Sequence, residues 1–235
     1  MRRRQTTFYC FSPPVMIATF IVEVSLAVYA WWRYRLTPIS RLTMFILLLL
    51  ATFQLAEYQV CQGSLSSAQM WSRIGYVAIA FLPPLGLHLL CTLAGERQRL
   101  ALGLGYGAAT VFAGFFLLAP GALSGHACMG NYVIFQVAHS SGALFGAYYY
   151  GLLCVGIGLG RYYLRRGLPA PTQRAIRGLM LGYLVFIVPT VLVNLMRPNT
   201  VQGIPSIMCG FAVLLAVTLA FVVLPATVSK KREAL

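Results

Sequence analysis

Aspartate is missing from all 235 residues, and the only acids are Glu23, Glu57, Glu96 and Glu233. Chemistry built on paired carboxylates therefore lacks its groups. Lysine is nearly missing as well. Lys230 and Lys231 follow the last apolar run, so no span offers the amine that a retinal Schiff base requires. Charged residues make up only 9% of the chain, where a soluble domain carries roughly a quarter. No C-x-x-C or Cys/His spacing suggests zinc, and no Gly-rich phosphate loop follows a strand. The nearest approach to a nucleophile motif is His139-Ser140-Ser141-Gly142, which lacks the first glycine of a G-x-S-x-G elbow. No base is placed beside it. No catalytic constellation, metal or cofactor is expected, and the missing acids disfavour an intramembrane lipid-modifying enzyme.

What is present is hydrophobic: 59% of residues, with a mean hydropathy of +0.78. Seven apolar segments fit one bilayer crossing each: Pro14–Trp32, Leu42–Val60, Ile74–Ala94, Leu100–Ala119, Ser141–Gly160, Gly178–Leu195 and Ile204–Leu224. The expected fold class is an all-α integral membrane protein, a seven-transmembrane helix bundle forming one domain over residues 1–235 with a short basic tail at 225–235. Arg2-Arg3-Arg4 makes a basic start, but the run after it is too long for a signal peptide and lacks a small-x-small cleavage site, so it is taken as a span. The formal charge of +14 does not point to nucleic acid, because the arginines sit in short loops between apolar runs. With seven spans, thirteen of the eighteen basic residues fall on one side. The positive-inside rule then places the C-terminus in the cytoplasm and the N-terminus outside.

The chain is organised around Trp71–Arg99, whose apolar stretch carries Pro83-Pro84 at its middle. Each proline removes a backbone donor, and lipid tolerates this only where neighbouring helices or water satisfy the freed carbonyls. This helix is therefore expected at the centre of the bundle. Gly103 with Gly107, and Gly142 with Gly146, show the small-xxx-small pattern of close helix contacts, within the bundle or in a homodimer. The connection from Pro120 to Ser140 is uncharged and contains a run of β-type composition, Tyr132 to Val137. It reads either as a lid or as a loop half-sunk in headgroups. Cys91, Cys154 and Cys209 lie inside spans as small apolar core residues. Cys10, Cys61 and Cys128 share the outer side, where a Cys61–Cys128 disulfide is favoured, with Cys10 as the competing partner.

Ionisable groups inside spans are costly and default to functional candidates. Glu23 sits mid-span, His88 in the inner half of the third span, and Glu57, His139, Asn194 and Arg197 at comparable depth near outer helix ends. The latter four either line a ligand pocket open to the outside or form structural pairs such as Glu57–Arg197. His88 reads as an interhelical hydrogen-bonding group.

Three stretches resemble the N-terminal seven-helix membrane region of bacterial sensor histidine kinases. They are W-S-R-I-G-Y-V-A-I-A-F-L-P-P-L-G-L-H-L-L-C-T-L-A-G-E (from Trp71), P-T-Q-R-A-I-R-G-L-M-L-G-Y (from Pro171) and G-I-P-S-I-M-C-G-F-A-V-L-L-A-V-T-L-A-F-V-V-L (from Gly203). The resemblance implies that the seven helices sense something and pass the state through the last helix to a catalytic domain. This chain departs from the pattern after Leu224, where neither a phosphorylatable histidine nor an ATP-binding region follows. The expectation is a stand-alone membrane sensor that binds a small or lipidic ligand and signals to a separate cytoplasmic protein. Pro83, Pro84 and Pro189 would be its conformational points. Arg161, Arg165, Arg166, Arg174 and Arg177 would dock the partner. A transporter, or a non-catalytic subunit of a larger membrane complex, is the alternative.

Overall fold

The structure, a computed structural model, describes residues 13–62, 65–128, 133–137, 139–196 and 204–229. The elements in order are α1 (Pro13–Arg33), α2 (Pro38–Gln62), α3 (Leu65–Ala94), α4 (Arg99–Leu118), β1 (Leu123–Cys128), β2 (Val133–Val137), α5 (His139–Leu164), α6 (Ala170–Met196) and α7 (Ile204–Thr218). The last helix continues through a π-helical turn (Leu219–Val223) into α8 (Leu224–Thr227). Seven of these helical stretches are long and apolar enough to cross a bilayer, which makes this a multi-pass, all-α membrane protein.

Several helices outrun the apolar segments. α2 starts at Pro38 rather than Leu42 because Thr37 caps it: the Thr37 hydroxyl accepts from the Ser40 N–H at 3.3 Å, and the Ser40 hydroxyl accepts from the Thr37 N–H at 2.9 Å. This reciprocal cap is followed by a proline at the first helical position, whose missing N–H would have been orphaned there anyway. α3 begins at Leu65, well before Ile74, and α6 begins at Ala170, so that Arg174 and Arg177 stand on helix rather than loop. Hydropathy marks where a helix meets charge, not where its hydrogen bonds stop. The Arg73 guanidinium, on a helix and not in a loop, donates to the carbonyl of Leu117 in the last turn of α4. At its other end α3 stops at Gly95, which takes φ +72°; the Gly95 and Glu96 N–H groups return to the carbonyls of Thr92 and Cys91 at 3.3 and 3.0 Å.

α3 is the hub. It packs against α2, α4, α5, α6 and β1, and 67% of its apolar window is buried, against 17% for α4 and for α5. The outer faces of α4 and α5 expose Leu100, Leu104, Val111, Leu118 and Leu144, the composition of a lipid-facing surface. Gly103, Gly107 and Gly146 lie in open space, and Gly142 meets only Val137, so these glycines do not bring helices together within the bundle. The close approach is elsewhere. A Cβ at Gly178 would lie 2.7 Å from Val222 and one at Gly182 2.5 Å from Leu215, so this pair on α6 admits α7 and the π-helical turn. Cys91 is buried, whereas Cys154, expected in the core, is exposed on the face of α5. Cys10 lies outside the described residues, and nothing is described of the Cys209 side chain.

Candidate functional site

The long connection between α4 and α5 contains a two-stranded antiparallel sheet. β1 and β2 pair antiparallel, with His126 opposite Phe135 and Cys128 opposite Val133. Cys61 at the end of α2 is disulfide-bonded to Cys128, Cα to Cα 5.8 Å, so the hairpin is fastened to the helix it covers. Phe135 is 2% exposed and points into the bundle, where its ring lies 6.1 Å from Phe53 and 5.4 Å, edge-on, from Tyr76. Tyr76 stacks on towards Phe116 and Phe145 at 4.6 and 5.8 Å. Such offset and edge-to-face contacts are the preferred aromatic geometries. The hairpin therefore closes this end of the bundle with an aromatic plug.

Beneath it, in the middle of the bundle, is a cavity of about 30 Å³, room for about two waters. Its wall comes from five helices, and Leu50, Pro83, Tyr149, Tyr183 and Ala212 are representative of it. The proline step of α3 contributes Pro83 to this wall. Pro84 has no N–H to offer the carbonyl of Ala80 four residues earlier. Tyr148 on α5 supplies the missing donor: its hydroxyl reaches the Ala80 carbonyl at 2.7 Å. α3 accordingly passes through both prolines as one helix. Two residues on, Tyr183 of α6 fills the space where a side chain at Gly86 would begin. α5 and α6 are thus fitted to α3 at one level, one by a hydrogen bond and one by steric fit.

No protein-family model matches the chain, and no curated protein does. Function has to be argued from the site itself.

Of the four residues expected to form an outward-facing pocket, only Glu57 has a described side chain. Glu57 is 1% exposed, buried inside the bundle. His139 opens α5 and Asn194 lies in the last turn of α6, with nothing described of either side chain, and Arg197 lies outside the described residues. His88 is an interhelical group: its Nδ1 is 3.1 Å from the Tyr106 hydroxyl of α4. Pro189 lies within α6, uninterrupted there, beside Thr190, whose hydroxyl donates to the Phe186 carbonyl at 2.7 Å. At the end of the bundle opposite the hairpin, Arg161, Arg165, Arg166, Arg174 and Arg177 are all exposed. Arg166 is engaged, paired with Glu96 at 2.7 Å and lying over the Tyr162 ring at 4.5 Å. Arg177 shares a hydrogen bond with Gln173 at 3.1 Å. Among the described residues no group of three or more His, Cys, Asp or Glu could hold a metal ion. Tyr148, Tyr183 and Phe135 escaped the sequence reading. A clue was available for the first: a proline pair inside a span requires a donor from a neighbouring helix, and Tyr148-Tyr149-Tyr150 is the densest run of hydroxyls in any span.

Proposed function

We propose that the protein is a seven-helix membrane sensor, with its N-terminus outside and the arginine-rich end in the cytoplasm of a bacterial inner membrane. It takes up a small or lipidic ligand within the bundle and passes a helix movement to a cytoplasmic signalling protein. The observation that carries this reading is the Tyr148–Ala80 hydrogen bond at Pro84, adjacent in sequence to Pro83 and Tyr149, which line a central cavity. A cavity of about 30 Å³ holds no ligand of drug size. Binding must therefore open it, which separates α5 and α6 from α3 and gives two states with different ligand affinity, the requirement for a switch. The continuous α7, with its π-helical turn, provides a route to the arginine-rich end; such turns recur at functional points in helices. The likeness to sensor histidine kinase membrane regions supports the same assignment.

The transporter alternative has less behind it. Secondary transporters place their sites at discontinuous helices, whereas α3 and α6 run unbroken through their prolines.

Purification in mild detergent, with mass spectrometry of bound proteins, tests the assignment. A kinase, response regulator or other signalling protein is expected to co-purify, and to be lost when Arg161, Arg165, Arg174 and Arg177 are all changed to Gln. A stable set of other membrane subunits, unaffected by those changes, would instead establish a component of a larger complex.

A further inference from the structure

Glu23 lies near the middle of α1 and is wholly buried, and neither of its carboxyl oxygens meets a hydrogen-bond donor among the described residues. No cationic side chain among them pairs with it. An ionised carboxylate in such a place pays a desolvation penalty of several kcal/mol with nothing to offset it. Three remedies exist: a cation, a set of donors, or a proton on the carboxyl itself. The first two have no support among the residues around it.

The helix most extensively packed on α1 is α2, and part of its buried face is polar. The buried face of α2 that begins at Leu50, on the cavity wall, continues through Gln54 to Glu57. Gln54 is 2% exposed, and its side-chain nitrogen has no hydrogen-bond partner among the described residues. Glu57 stands one helical turn from Gln54, within electrostatic reach of Glu23. Also packed on α1 is the last helix, α7 with its π-helical turn and α8, where Ile204–Thr227 carries no Asp, Glu, Lys, Arg, His or Tyr, and Cys209 is its one titratable residue. The ionisable group in reach of a charge on Glu23 is therefore Glu57, and one turn from it stands the unpartnered side-chain nitrogen of Gln54.

We propose that Glu23 is an intramembrane proton-binding site, with Gln54 and Glu57 as its polar surroundings. In the closed bundle the carboxyl carries its proton. When the α1–α2 contact opens, the O–H bond breaks, the proton passes to water, and the carboxylate left behind is met by the Gln54 amide. Having Glu57 in reach makes single occupancy favourable, because two carboxylates cannot both ionise cheaply at short range. The inference does not rest on the sensory assignment, since a proton site serves a sensor or a transporter alike.

Infrared difference spectroscopy of the full chain in lipid nanodiscs, in H₂O and D₂O, reads the site directly. The wild-type protein is expected to show the C=O stretching band of a protonated carboxylic acid free of strong hydrogen bonds. Glu23→Gln should abolish that band, and Glu57→Gln should leave it in place, shifted at most. Raising the pH should convert the wild-type band into carboxylate absorption. A protonated-acid region left unchanged by Glu23→Gln would overturn the proposal. So would failure of Glu23→Gln to fold, since glutamine matches a protonated glutamate in size and charge, and only an obligatory carboxylate would be missed.

Discussion

Tyr148 and Tyr150 are two residues apart on α5, and both use their hydroxyls across a helix interface, yet their partners differ in kind. Tyr148 donates to a carbonyl that Pro84 leaves without its helical donor, at 2.7 Å. Tyr150 donates to the sulfur of Met208 at 3.1 Å, a weak acceptor that needs no partner. Removing the first hydroxyl orphans a buried acceptor, and removing the second orphans nothing. Tyr148→Phe should therefore destabilise the bundle by about 1–2 kcal/mol, within the range for unsatisfied polar groups and interhelical bonds in membranes. Tyr150→Phe should stay within about 0.5 kcal/mol of wild type. Unfolding midpoints in mixed micelles, measured on both variants side by side, check this; equal losses would mean that the carbonyl of Ala80 is not relieved by Tyr148.

At the scale of elements, the disulfide and the hairpin form one device. The bridge spans a sequence separation of 67 residues and pins β1 to α2, while Phe135 on β2 supplies the plug. An isolated two-stranded hairpin is marginal in water, so its order depends on the bridge and on the aromatic seat. Replacing Cys61 and Cys128 by Ser should cost on the order of 2–4 kcal/mol. Amide exchange should rise several-fold or more at Leu123–Cys128 and Val133–Val137, and change little in α3; uniform loosening of the bundle would show that the bridge supports the core instead. This is also the scale at which the sequence was most and least informative. Seven apolar runs of bilayer length are visible without a structure, as are the central place of the proline-bearing helix and the pairing of two cysteines on one side. The packing glycines were not visible, because Gly103–Gly107 and Gly178–Gly182 carry the same spacing and differ only in what stands opposite. Helix ends were misplaced wherever a polar first turn, such as that of α6, extends beyond the apolar run. Glu57 was noticed as a costly ionisable group, but its depth along α2 gives no hint of whether it faces a pocket or the sealed interior.

For the whole molecule, the question is which end faces the cytoplasm. The helices alternate direction through short connections at residues 34–37, 95–98 and 165–169, which gather at one end together with the close of the last helix. The hairpin and the α2–α3 connection occupy the other. Arg33, Arg35, Arg41, Arg97, Arg99, Arg161, Arg165 and Arg166 lie at the first end, whereas Arg73 lies towards the hairpin end. The C-terminal stretch is fixed there as well: Tyr34 is buried with Ala30, Leu224 and Val228, and the Arg35 N–H reaches the Ser229 carbonyl at 3.3 Å. Basic loops of this length are retained on the cytoplasmic side during insertion, and a disulfide at the opposite end requires an oxidising compartment. Both physical constraints support the orientation proposed above, with the arginine-rich end in the cytoplasm. Pro120 next to the hairpin and Pro169 in the α5–α6 connection are both exposed. In a background where Cys10, Cys91, Cys154 and Cys209 are Ser and the bridge is kept, Pro120→Cys should react with a membrane-impermeant maleimide on intact cells. Pro169→Cys should react only after permeabilisation. The reverse pattern would invert the molecule and remove the arginine-rich end from any cytoplasmic partner.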